Sequence, residues 1–252
     1  MKVSQERAAS RAALFFISTL LPAVVLIVAV ASPAMLNAAS FQVTPVRAIL
    51  DARNDNTFFE FENTDTEEVS VQVEIMKWSQ EDGEDILENT GDFVIVPRII
   101  TLDPDARQVV RLGLLSAPQS DIEATYRIFF TEIRASDEPA TNNVSMRLRV
   151  SIPVFVNPET LLTPSLQLSD VQTETDHTAL EFYNNGNQHI QVLGIRPKGA
   201  TDEQAQPLNT YILPGNSKQI AVELPDFSSV QMLEVDTDVA GILSYELAQP
   251  AP

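Results

Sequence analysis

Two imidazoles, His177 and His189, are the only histidines in this sequence, and there is no cysteine at all. The missing cysteines remove the disulfide scaffold, the thiolate metal site and the cysteine nucleophile together. Asp176-His177 sets a carboxylate beside an imidazole, but the stretch is a polar turn and no serine sits in an elbow motif. Gln80-Glu-Asp-Gly-Glu-Asp85 is acidic enough to suggest calcium. It lacks the alternating Asp/Asn ligands and the distal Glu of such loops, so it reads as a solvated hairpin turn. His189 reads as a half-buried structural residue and Trp78, the single tryptophan, as sandwich core or its rim. No phosphate loop, dinucleotide fingerprint or zinc spacing occurs. The expectation is a protein that is not an enzyme and uses no cofactor and no metal.

Charge narrows the partners. Lys plus Arg is 16 against 35 Asp plus Glu, a formal net charge of −19. Such a polyanion repels phosphate backbones and anionic membranes, so nucleic acid is excluded as a partner. Any base placed where a ligand could reach it therefore stands out. The 252 residues allow one large domain or two smaller ones, and 44% hydrophobic residues suffice to build cores.

The first forty residues differ from the rest. Lys2, Arg7 and Arg11 precede a stretch without charge from Ala12 to Ser32, and small residues follow in Asn37-Ala-Ala-Ser40. A basic head, an apolar middle and small residues before alternation begins at Phe41 describe a secretory signal peptide over 1–40. An uncleaved membrane anchor is the other reading, because the uncharged stretch is long enough to span a bilayer. Pro22 and the Ala-Ala-Ser end favour cleavage. Export to a bacterial periplasm follows, with no membrane attachment afterwards.

Beyond Phe41 the pattern is β almost throughout. Apolar and polar residues alternate in 69–76, 127–133 and 188–195, and shorter β-rich runs recur at 42–50, 57–62, 93–100, 107–114, 166–171, 178–183, 217–224, 231–235 and 241–247. Turn clusters such as Asn54-Asp-Asn56, Asn184-Asn-Gly-Asn187 and Pro214-Gly-Asn216 separate them. No helical period survives three turns. About fourteen short strands are twice what one seven-stranded sandwich needs. A seam at Asn157-Pro-Glu-Thr160 divides them into 41–158 and 159–252. The fold class is all-β, with two β-sandwich domains.

The run 144–156 reads as the longest strand. Val144, Met146, Leu148, Val150, Ile152, Val154 and Val156 share one face, and Ser145, Arg147, Arg149 and Ser151 the other until Pro153 intervenes. Proline donates no ladder bond, so one side of this strand is expected to be unpaired there. Two readings stand open: an ordinary central strand whose apolar face is core, or an exposed edge that completes the sheet of another protein.

Several stretches together resemble the periplasmic pilus-assembly chaperones of the chaperone–usher pathway. They are Phe41-Gln-Val-Thr-Pro-Val-Arg-Ala-Ile-Leu50, Val71-Gln-Val-Glu-Ile-Met-Lys-Trp-Ser-Gln80, Val96-Pro-Arg-Ile-Ile-Thr-Leu-Asp-Pro104 and Gln108-Val-Val-Arg-Leu112. Tyr126-Arg127 followed by Glu132, Ile152-Pro-Val-Phe155, Phe182-Tyr-Asn-Asn-Gly-Asn-Gln-His-Ile190 and Leu213-Pro-Gly215 complete the set. No tetrapeptide is specific alone; their order behind a signal peptide is. Lys77-Trp-Ser-Gln80 is similar to the archaic or alternative branch.

The resemblance implies two immunoglobulin-like sandwiches in an L-shaped arrangement, and pilus subunits lacking a final strand and an outer-membrane usher as partners. It implies that the last strand of the first domain is lent to the subunit, with Val144, Met146, Leu148 and Val150 filling its groove. It also implies two basic groups that hold the terminal carboxylate of the subunit. Arg47 matches the first; the family lysine at the second is Pro153 here, which leaves Arg149 and Arg127 as candidates. Asn157 stands where common members carry an interdomain arginine. The alternative is a two-domain β-sandwich surface or adhesion protein anchored in the membrane by 12–32, without chaperone activity.

Overall fold

The computed structural model describes residues 41–116, 119–133, 147–173, 178–223 and 230–247. Val144 and Met146, the segment 1–40 and His177 lie outside them. Seventeen strands and one 3-10 turn, Asp202–Gln204, make up the described regular structure, so the expected all-β class and its two sandwiches are the observed ones.

The first sandwich packs two sheets. One runs β1 (Phe41–Thr44), β3 (Asn56–Asn63), β8 (Arg107–Leu114), β6 (Phe93–Val96). The other runs β2 (Ala48–Leu50), β10 (Arg149–Val156), β9 (Ala124–Ile133), β4 (Val69–Glu81), β5 (Glu84–Asn89), with β7 (Ile99–Leu102) also on β4. The runs 42–50 and 93–100, expected as single strands, are each split between the two sheets, at Pro45 and Pro97. Both prolines follow cis peptide bonds. With no N–H a proline cannot extend a ladder, so the chain leaves one sheet there and joins the other.

Between the sheets the inward residues of both form one core. Phe61 lies 4.9 Å from Phe41 and 6.2 Å from Phe130 between ring centroids, and Phe59 lies 5.8 Å from Phe130. Each such fully buried side chain contributes about 1.5–3 kcal/mol of transfer free energy.

The second sandwich packs β11 (Leu166–Thr173), β12 (Thr178–Asn184), β15 (Ser217–Val222) against β14 (Gln206–Ile212), β13 (Ile190–Pro197), β16 (Met232–Thr237), β17 (Gly241–Glu246). Leu180, Phe182, Ile190, Val192, Ile195 and Val235 fill it.

Three strand expectations need correcting. The long strand is β10, eight residues from Arg149, and Arg147 and Leu148 are not part of it. The Leu148 N–H donates to the side-chain carboxylate of Glu132 at 3.2 Å, where a ladder would use a backbone carbonyl. The thirteen-residue strand is instead β4. β5 and β14 were not foreseen: every residue of β5 is exposed, and β14 carries Pro207 and polar residues, so neither shows an apolar alternation.

Candidate functional site

Trp78 at the far end of β4 and Phe155 on β10 are not core of the first sandwich. They meet Leu213 of the second in a separate buried cluster, with Tyr211 packed against it. Trp78 presents its ring to Tyr211 edge-on, centroids 5.4 Å apart at 81°. This aromatic seam is the floor on which the basic groups converge.

Arg47 sits between the Pro45 crossing and β2, which runs parallel to the end of β10 with Ala48 opposite Val154. Its side chain is 29% exposed and its guanidinium reaches across to the second sandwich. It donates to Asp238 Oδ2 at 2.8 Å, to the Tyr211 hydroxyl at 3.0 Å and to Gln191 Oε1. Burial pulls the Arg47 pKa down, but Tyr211 and Asp238 outweigh it and leave it above its ordinary value.

Arg127 on β9 is the ladder partner of Pro153, so the two side chains share the seam-facing side of the sheet. Proline leaves that place without a cation, and Arg127 occupies it from the neighbouring strand. Its guanidinium covers the Trp78 ring at 3.8 Å and lies 5.9 Å from the Tyr211 ring, while that of Arg47 is 5.8 Å from the same ring. Asp85 lies 3.6 Å away and Ser151 Oγ 3.4 Å. Burial lowers its pKa from the ordinary value, offset in part by Asp85 and Tyr211; the guanidinium stays charged. Arg127 Nε and Trp78 Nε1 are both buried with no hydrogen-bond partner among the described residues. An indole N–H and a guanidinium N–H left unclaimed beside a second guanidinium suit an incoming anion with several acceptor sites.

Arg149 stands apart. It lies on the same side of β10, but four residues from Pro153, about 13 Å along the strand. There its guanidinium stacks on Phe129 at 4.0 Å. The structure thus brings Arg47 and Arg127 together and leaves Arg149 out.

The apolar face of β10 is divided. Ile152, Val154 and Val156 are buried in the core of the first sandwich, as the central-strand reading expects. Leu148 and Val150 are only partly buried against it. β2 covers β10 only from Val154 to Val156, so from Arg149 to Pro153 the strand pairs with β9 on one side and with no described strand on the other. The unpaired side expected at Pro153 is there.

Sequence reasoning missed the residues that meet these bases. Tyr211, Gln191 and Asp238 lie 144 to 191 positions from Arg47 in the chain, and no local pattern marks them. His189 is also more than a half-buried structural residue: it is 1% exposed and its Nδ1 lies 2.6 Å from Glu123 Oε2 of the first sandwich. Asn157 donates its backbone N–H to the Leu50 carbonyl, and its Oδ1 has no partner among the described residues.

The sequence profile of the pili and flagellar-assembly chaperones, PapD N-terminal domain, matches residues 40–162. A search of curated proteins finds no match. Among solved structures, the chain is similar to the complex of the CsuC chaperone with the CsuE tip adhesion subunit, from the archaic Csu pili of Acinetobacter baumannii. The TM-score is 0.64 at 19% identity, over 82% of this chain and 98% of that one. It is likewise similar to a complex of the SafA pilin and SafB chaperone of Salmonella enterica, with TM-score 0.60 at 16% identity over 83% and 97%. The E. coli chaperone DraB gives TM-score 0.56 at 19% identity over 84% and 97%. At such identities the likeness establishes the two-sandwich fold.

Proposed function

The chain belongs to the pilus-assembly chaperones, and from that premise we propose that it captures pilus subunits lacking a final strand by lending them the open edge of β10. One observation carries this reading. A strand with no described partner on one side over Arg149–Pro153 ends beside two guanidiniums, Arg47 and Arg127, that approach one tyrosine ring.

Strand addition along that edge supplies main-chain hydrogen bonds, and alternate side chains fill the groove of the subunit. Leu148 and Val150, with Val144 and Met146 before them, are the groove-filling residues of the proposal. Arg47 and Arg127 hold the terminal carboxylate, each through charge-assisted hydrogen bonds. The carboxylate fixes the end of the subunit strand and so its register.

The proposal includes export through cleavage between Ala38 and Phe41, residence in the periplasm, and delivery of the subunit to an outer-membrane usher. The basic head, apolar middle and small-residue end of 1–40 support the first step. The family itself supports the others. The N-terminal sequence of protein from the soluble envelope fraction tests export: recovery only in membranes, beginning at Met1, would overturn it.

The capture step is tested by co-expressing the chaperone with a subunit that lacks its last strand and measuring recovery of the complex. Recovery is expected from the parent and not from Arg47→Ala. Equal recovery from both would remove Arg47 from the binding site.

A further inference from the structure

His189 joins the two sandwiches through both faces of its chemistry. Its ring lies flat on Phe155, the residue of β10 that follows the Pro153–Val154 pair, with centroids 3.5 Å apart. Its Nδ1 lies 2.6 Å from Glu123 Oε2, and the same oxygen accepts the His189 backbone N–H at 2.9 Å. Its Nε2 lies 3.4 Å from Asp238 Oδ2, at ion-pair distance and without a formed hydrogen bond. That Asp238 oxygen is also the acceptor for Arg47.

A neutral imidazole carries one N–H. If Nδ1–H serves Glu123, the lone pair on Nε2 faces a carboxylate oxygen and the two repel. Only the imidazolium satisfies both sides. Around the ring, the titratable and charged groups among the described residues are Glu123, Asp238 and Tyr211, with Arg47 behind Asp238 and Arg127 beyond the Tyr211 ring.

We propose that His189 is a positioning residue for subunit capture: its imidazolium shares Asp238 with Arg47 and thereby frees the Arg47 guanidinium for an incoming carboxylate. This deepens, and rests on, the reading of Arg47 as an anchor. With His189 protonated, Asp238 keeps a cation when Arg47 turns to the ligand. With His189 neutral, Asp238 holds only Arg47 and the Gln191 N–H, which donates to its other oxygen at 2.8 Å. The ligand must then strip a carboxylate of its remaining cation. Capture is favoured in acid and weakens as His189 loses its proton.

Burial pulls the pKa of His189 down, but Asp238 and Glu123 outweigh it and the net shift is upward. The loss of capture therefore falls above the usual histidine value.

The probe is a short synthetic peptide of alternating apolar and polar residues with a free terminal carboxylate, compared with its amidated twin. In the parent protein, the preference for the acid over the amide is expected to fall at least about fivefold between about pH 6 and about pH 9. In His189→Gln the preference should stay flat across that range; a slope that persists in this variant overturns the proposal. NMR titration of the parent protein needs no folded variant at position 189, with His177→Gln identifying the other imidazole. By linkage, the acid peptide must raise the His189 midpoint; an unmoved midpoint overturns the positioning role. If acid and amide bind alike at both pH values, the anchor reading of Arg47 itself fails. That result is distinct, because the titration of the free protein still reports whether the imidazolium is held between its two carboxylates.

Discussion

The imidazole of His189 lies parallel to the ring of Phe155, the two planes 2° apart. Phe155 belongs to the last strand of the first sandwich and His189 precedes the β13 strand of the second. The end of the proposed donor strand is therefore also a wall of the seam, and a ligand held beside Pro153 is only a few residues from the contacts that join the domains. Glu123 with His189 and Arg47 with Asp238 supply the charged contacts that cross the seam among the described residues.

Arg47→Ala removes a charged contact to Asp238 from a part-exposed side chain. It should lower stability by about 1–2 kcal/mol and abolish subunit recovery. Thermal melting and co-purification on the same preparation separate the two effects.

Arg127→Ala and Arg149→Ala discriminate between the two candidates for the second anchor. The first should weaken subunit binding about tenfold or more, the worth of a charge-assisted contact. The second should leave binding within about twofold, since Arg149 only stacks on Phe129 at an exposed place. Binding isotherms for both variants give the answer, and the reverse order would return the role to Arg149.

Glu at two apolar positions, Ile152 within β10 and Leu148 just before it, should give two different phenotypes. Ile152→Glu buries an unpaired charge among core residues and should unfold the first sandwich, at a cost of several kcal/mol. Leu148→Glu, at the partly exposed end, should melt within a few degrees of the parent yet fail to hold a subunit. If Leu148→Glu also melts far below the parent, that end of the strand is core and cannot be the donor edge.

Seam stability should depend on pH with two limbs. A raised His189 pKa means stability that is fully present below the ordinary histidine value and lost as pH rises through the raised one. For Asp238, burial pushes the pKa up but His189, the Gln191 N–H and Arg47 bring it below its ordinary value. Its contribution is present above that ordinary value and lost as pH falls through the lowered one. Urea unfolding of the parent and His189→Gln across this span should show the alkaline limb in the parent alone.

Gly186→Ala should destabilise the junction between the domains by about 1–3 kcal/mol or more. A Cβ there would sit 2.4 Å from the Thr163 carbonyl oxygen and 2.7 Å from Ser165 N. Those are backbone atoms of the interdomain segment. Asn187 binds the same segment, accepting from Thr163 N at 2.6 Å and donating to Leu161 O at 3.1 Å. A midpoint shift in thermal unfolding measures the effect.

The sequence by itself determined the class of fold, because alternation, turn clusters and the absence of a helical period are local properties of the chain. It determined the arrangement of the seventeen described strands less fully. Exposed β5 and proline-bearing β14 are edge strands held by backbone pairing, and backbone pairing leaves no mark on side-chain type. Arg47 was legible through the resemblance of Thr44-Pro-Val-Arg47 to the first strand of the family. Which of Arg127 and Arg149 stands beside Tyr211 was not, since both sit at alternating positions facing one side of a sheet. Register alone places them: Arg127 is opposite Pro153, and Arg149 is four residues away. The partners Tyr211, Asp238 and Glu123 were beyond sequence reasoning for the same reason. They meet Arg47 and His189 only when two independent cores dock, and the free energy of that contact is written in tertiary geometry, not in any local pattern of residues.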